Sequence, residues 1–179
     1  MLIRVFISIP IKDKNALASV LEDVKEIQNV KPSPLSQTHI TLRFIGDVDD
    51  SKVKKIVRSV ADAVQDIDPF DITLTGAGCF PNAKRPSVLW IGARPEDILT
   101  TISDRISANL RSANIRFDDK PFKSHITVGR CKGPANPKKF LDSYSDKELC
   151  SFTCDEILIM RSELTPKGAI HTVLERVSL

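Results

Sequence analysis

The sequence predicts an α+β fold of two pseudo-symmetric lobes, each an antiparallel sheet with helices outside, facing one another across a central groove. Two observations predict it. The order strand, helix, strand, helix, strand is legible twice along the chain. A nearly identical phrase then falls at the same place in each round: HITLRF at residues 39–44 and HITVGR at 125–130, 86 residues apart.

Taken in order, Ile3, Val5, Ile7 and Ile9 alternate as a strand. Leu17, Val20, Leu21, Val24 and Ile27 then mark one face of a helix. Lys31-Pro32-Ser33-Pro34 breaks the chain before the first His phrase, which again alternates. Asp49 or Asp50 caps a second helix with the stripe Val53, Ile56, Val57, Val60 and Val64. Phe70, Ile72 and Leu74 close the first round as a strand, and PNAKRP at 81–86 is a turn-rich junction. The second round runs through a strand at 87–93, a helix at 96–114, the loop DDKPFKS and the second His phrase. Asn136-Pro137 starts a short helix, a capping residue followed by proline. A strand at 152–160 closes this round, and the turn at Thr165-Pro166-Lys167-Gly168 leads into a last strand at 169–177. The expected organisation is one bilobal domain over 1–179, with an approximate internal repeat of 1–80 and 86–162.

Composition bounds the function. Hydrophobic residues make up 41% and charged residues 27%, an ordinary soluble pattern. No apolar run approaches the roughly 18 residues a membrane span needs, and MLIRVFISIP reads as a strand rather than a leader. Cys79, Cys131, Cys150 and Cys154 form no Cys-x-x-Cys and have no histidine at zinc spacing. They read as free thiols in a reducing compartment, the cytoplasm, with no metal and no cofactor expected. A net charge of +3 is only a mild basic bias. Lys52, Lys54, Lys55 and Arg58 read as a solvated helix face, whereas Lys120, Lys123, Arg130, Lys132, Lys138 and Lys139 surround the second phrase and suit an anion. No hydrophobic interface stands out, so a monomer is expected.

The two phrases carry the chemistry. On a strand, His39, Thr41 and Arg43 share one face, and Ile40, Leu42 and Phe44 the other. In the second phrase His125, Thr127 and Gly129 match the first set. If the halves face each other, the two imidazoles stand across a groove. One neutral histidine accepts a proton from water while a protonated one donates to a leaving oxygen. The threonine hydroxyls and an arginine suit phosphate oxygens, so the set fits phosphodiester hydrolysis without a metal. The remaining histidine, His171, lacks this context and reads as a packed or edge residue outside the site.

The paired His-x-Thr-aliphatic phrases resemble the two-histidine (2H) phosphoesterase superfamily. RVFISIP, HITLRFIGDV, GCFPNAKRPSVLWIGA and FKSHITVGR are similar, over nearly the whole chain, to the RNA 2′,3′-cyclic phosphodiesterases, also called 2′-5′ RNA ligases. The resemblance implies opening of a 2′,3′-cyclic phosphate on an RNA end, tRNA fragments included, to leave a 2′-phosphate. It implies that His39 is the proton donor to the leaving 3′ oxygen and His125 the proton acceptor. Thr41, Thr127 and Arg130 would hold phosphate. A reverse reaction, with acid and base exchanging roles, would join a cyclic end to a 5′-hydroxyl through a 2′-5′ bond.

Strict alternation puts Arg130 on the face opposite His125, and a bulge at Gly129 would re-aim it. Arg43 has the phase of His39 and is a further binding candidate. Phe44 is either a stacking platform for a base or, by its phase, a core residue. The alternatives are a 2H enzyme acting on small cyclic nucleotides, such as a 1″,2″-cyclic ADP-ribose phosphate, or on 2′-5′ oligoadenylates, and a non-catalytic RNA-end binding module.

Overall fold

The computed structural model describes all 179 residues. Nine strands and four α-helices occur in the order β1 (Leu2–Pro10), α1 (Asn15–Lys25), β2 (Val30–Pro32), β3 (His39–Asp49), α2 (Val53–Val64), β4 (Phe70–Phe80), β5 (Val88–Arg94), α3 (Glu96–Ser112), β6 (His125–Cys131), α4 (Lys138–Tyr144), β7 (Glu148–Cys154), β8 (Glu156–Thr165) and β9 (Gly168–Ser178). The strands form two antiparallel sheets, ordered β3-β1-β8-β9 and β2-β6-β5-β4-β7.

The two orders superpose as a pattern. Each sheet sets its His-bearing strand, β3 or β6, beside the opening strand of the same half, β1 or β5. The next neighbour, β8 or β4, lies in the other half of the sequence. Helices cross over as well: α1 packs on β2 and β6, while α3 packs on α2 and β3. The lobes are therefore interlaced, and neither is a continuous stretch of chain.

Two expected elements differ. The single strand at 152–160 is two strands in different sheets, β7 ending at Cys154 and β8 starting at Glu156. Asp155 at the crossing is held by Lys12 Nζ at 2.8 Å, and its carbonyl accepts from the Leu179 N–H. The Lys31-Pro32 break contains a short strand, β2, at the sheet edge, where a proline costs the ladder nothing. The helix starts fall slightly later than expected, with Lys52 at the cap of α2 and Pro137 at the cap of α4, neither giving a side-chain bond. Asp49 accepts from the Ser51 N–H in a 3₁₀ turn leading into α2, and Asn136 accepts from the Lys138 N–H at the start of α4.

One contiguous core joins the lobes. Ile7, Ile9, Ile40 and Leu42 of the first sheet and Ile72, Leu89, Ile91 and Ile126 of the second turn inward against Leu17, Val20, Ile56, Ile102 and Ile106 of the helices. These β-branched and leucine side chains are almost fully excluded from water, each worth about 1.5–3 kcal/mol. Their burial fixes which face of β3 and β6 is left for the groove.

Candidate active site

β3 and β6 belong to different sheets yet run close together in space, which brings the two His phrases to one groove. His39 and His125 each open their strand and are half-buried on its groove face. The His125 imidazole is steadied by the carbonyl two residues before it, that of Lys123, and the Gln37 carbonyl, two residues before His39, favours that ring's charged form. His125 Nδ1 stands 2.7 Å from the Lys123 oxygen. A carbonyl only accepts, so Nδ1 carries the hydrogen and the neutral ring keeps its lone pair at Nε2, free to take a proton.

The environments differ. Burial first, then the charges of His171, Lys14 and His125, push His39 down to about 4, against the opposing effect of the Gln37 carbonyl. Burial also lowers His125, as does the charge of Arg130, while the Lys123 carbonyl works the other way. The unfolded chain therefore binds His39's proton where the folded protein does not. Stability is full above the ordinary value of 6.5 and falls as pH drops toward 4, by up to about 3 kcal/mol from this residue. Urea unfolding at pH 7 and pH 4.5 is expected to show this loss in the wild type and less of it in His39→Gln.

A β-bulge in each strand sets the direction of the side chains beyond the histidines. Ile7 pairs with Arg43 and Ser8 with Thr41, so Leu42 is an extra residue. Leu89 pairs with Gly129 and Trp90 with Thr127, so Val128 is its counterpart in the second lobe. One extra residue reverses the alternation beyond it. Thr41 and Thr127 keep the groove face of their histidines. Beyond the bulge, Phe44 and Arg130 return to that face, while Arg43 and Gly129 turn inward.

This corrects Arg43. It is only 8% exposed and faces α3 and the loop before β6, not the groove. Its Nη1 donates to the Lys120 carbonyl, its guanidinium lies 5.7 Å from the centre of the Phe117 ring, and its Nη2 is 4.0 Å from Asp104. Phe44 is 52% exposed, which corrects its core reading. Arg130 is exposed and, as the bulge requires, comes near enough to act on His125. The bulge lies at Val128, one residue before the expected Gly129. Glycine is needed at 129 for another reason: a Cβ there would come within 2.7 Å of Val24 Cγ1 and 2.9 Å of Val30 Cγ1. Gly129→Ala is expected to lower stability by about 1–3 kcal/mol, measured by thermal or urea unfolding, and to disturb Arg130 next to it.

Rings line the groove. In the first lobe Phe6 stacks on His39 (centroids 5.0 Å apart, planes at 25°), with Phe44 at 6.0 Å and His171 at 4.9 Å from Phe6. In the second, His125 meets Phe80 edge-on at 5.0 Å and Trp90 at 6.2 Å. Trp90 lies across Gly78, where a Cβ would sit 2.1 Å from its Cζ2. Phe6 was detectable from the sequence, since it lies opposite the alternating Ile3, Val5, Ile7 and Ile9. His171 was expected outside the site, but the structure puts its ring 5.7 Å from His39. Only the β8–β9 register, which pairs it with Ser162, brings it there.

No group of three or more His, Cys, Asp or Glu side chains is placed to hold a metal ion, and no helix is long and apolar enough to cross a membrane. What the groove offers is two strand-opening imidazoles with a third, that of His171, beside one of them, two hydroxyls, one exposed guanidinium and a set of aromatic faces.

Comparison with known proteins identifies a family. Residues 13–166 match the 2′-5′ RNA ligase superfamily. The chain is 33% identical over 178 residues to a protein of Methanocaldococcus jannaschii, covering 96% of this chain and 98% of that one. It is 31% identical over 172 residues to one of Archaeoglobus fulgidus, covering 94% and 96%. Both relatives are named RNA 2′,3′-cyclic phosphodiesterase. The crystal structure of TT0787 from Thermus thermophilus superposes with a TM-score of 0.82 at 29% identity, over 98% of this chain and 97% of that one. Escherichia coli LigT complexed with 3′-AMP shares the fold, with a TM-score of 0.77 at 19% identity over 100% and 99% of the two chains. With its groove, its twin His-x-Thr strands and a match across most of its length, the chain belongs to the 2′-5′ RNA ligase superfamily.

Proposed function

We propose that this protein opens the 2′,3′-cyclic phosphate at the end of an RNA strand, with His125 as base and His39 as acid. The observation that carries the reading is the pair of imidazoles on facing strands, with the His125 lone pair set free at Nε2 by the Lys123 carbonyl. The names of the relatives supply the substrate class.

In this reading His125 takes a proton from water as its oxygen attacks phosphorus. The P–O3′ bond breaks opposite, and His39 gives its proton to O3′. The products are a 2′-phosphomonoester and a free 3′-hydroxyl. Thr41, Thr127 and Arg130 hold the non-bridging oxygens, where negative charge grows. In-line displacement puts O3′, and with it the ribose and base, on the His39 side. Phe44 is the exposed aromatic on that side and suits stacking of the terminal base. A 5′-hydroxyl in the place of water would be joined through a 2′-5′ bond, with His125 accepting its proton. In cleavage of that bond the two histidines exchange roles. The four free thiols, each held above its ordinary range mainly by burial, suit a reducing compartment such as the cytoplasm.

The test is an RNA oligomer ending in a 2′,3′-cyclic phosphate, incubated with the protein and EDTA and followed by phosphorus NMR. A 2′-monophosphate is expected at the same rate with and without chelator. Turnover of mononucleotide cyclic phosphates alone, or loss of turnover with EDTA, would overturn the reading.

A further inference from the structure

The two histidines are not equally surrounded. His125 meets only Phe80 and Trp90 among the rings. His39 is held from several sides. Phe6 covers one face, and His171 reaches it from β9 while setting its own ring edge-on to Phe6. Gln37 links these contacts. Its carbonyl favours a charged His39, and its side-chain amide donates to the Ala169 carbonyl, two residues before His171. Lys14 Nζ donates to the carbonyls of Leu35 and Ser36, both at 3.3 Å, in the turn that leads into β3.

Charge is one-sided here. The groups whose charge bears on His39 are His171 from β9, its ring 5.7 Å away, Lys14 from the segment before α1, and His125 from β6; Phe6 from β1 brings none. No carboxylate lies within ion-pair distance of His39, His171 or Lys14. A carboxylate beside His39 would keep it charged at all times. Lys14, which has no counter-charge here, does the reverse at neutral pH, and His171 adds to it once acid charges its own ring, so the charge that completes the cluster must come from outside.

We propose that His171 is a third histidine of this site: a positioning residue that holds the His39 imidazole against Phe6 and, with Lys14, makes protonation of His39 conditional on an anion in the groove. The proposal deepens the reading of His39 as the acid and rests on it. The acid is then charged by the arrival of the phosphodiester itself. An empty groove holds a neutral His39, and a filled one holds the imidazolium that O3′ requires.

The test is an NMR titration of the histidine rings, with sulfate as the anion because it stays fully ionised across the range. In the wild type the His39 midpoint is expected to be low without sulfate and to rise when sulfate is added. In His171→Phe, which keeps a ring beside Phe6 but no charge, the midpoint is expected to start higher and rise less. Kinetics supply the second readout: His171→Ala is expected to lower kcat by roughly 10- to 100-fold with little change in KM, and His171→Phe to restore most of it. A His39 midpoint that is the same in wild type and His171→Phe, with or without sulfate, would overturn the proposal. The titration uses no RNA, so its failure is separate from a failure to hydrolyse cyclic phosphate ends.

Discussion

His125→Ala is expected to lower kcat on a 2′,3′-cyclic RNA end by about 10²–10⁴-fold, with folding intact. The size reflects what is lost. Water at neutral pH is a poor nucleophile, and Nε2 of His125 is the one lone pair the Lys123 carbonyl leaves turned to the groove. Nothing nearby replaces it: Phe80 and Trp90 offer only ring edges and faces. His39→Ala is expected to lose a similar factor, because O3′ would then leave without a proton. Neither ring supports the core, since both are half-buried at the groove and the apolar residues beneath them, Ile40 and Ile126, remain. Circular dichroism and the melting temperature are expected to stay near wild type, which separates a chemical loss from an unfolded protein. The double variant is expected to lose less than the product of the two single losses, because both serve one displacement.

Arg130→Ala is expected to lower kcat/KM by about 10- to 100-fold, the loss of charge-assisted hydrogen bonds worth about 1.5–3 kcal/mol. Arg130→Lys keeps the charge but not the planar fork, and is expected to recover part of it. A second effect has a definite sign. The charge of Arg130 lowers the proton affinity of His125, so removing it raises that affinity. The base must be neutral to act. The acid limb of the kcat/KM profile is therefore expected to move to higher pH in Arg130→Ala. A profile that keeps its shape while only its height falls would mean that Arg130 lies too far from His125 to act on it.

The two-sheet plan and the twin histidines could be read from alternation and repetition, because both are local signals. What could not be read depends on pairing. The strand at 152–160 reads as one extended run, so nothing in it announces that Asp155 carries the chain from one sheet to the other. The interlacing of β4 and β8 is set by long-range register, which a period of two does not encode. Strict alternation turns Arg43 to the groove and Phe44 to the core, and the structure reverses both because Leu42 is one residue too many for its partner strand. The same insertion at Val128 returns Arg130 to the face of His125, against its phase. His171 stayed hidden because its strand comes at the far end of the chain from His39, and two other strands separate β9 from β3 in the sheet.

The proposed reaction divides the labour, His125 serving the nucleophile and His39 the leaving group. It is tested most directly with an RNA end whose 3′ oxygen in the cyclic phosphate is replaced by sulfur. A thiolate leaves without needing a proton. His39→Ala is expected to regain most of its activity on this substrate while His125→Ala stays inactive. If the sulfur substrate rescues His125→Ala instead, or rescues neither variant, the assignment of acid and base to these two histidines is wrong.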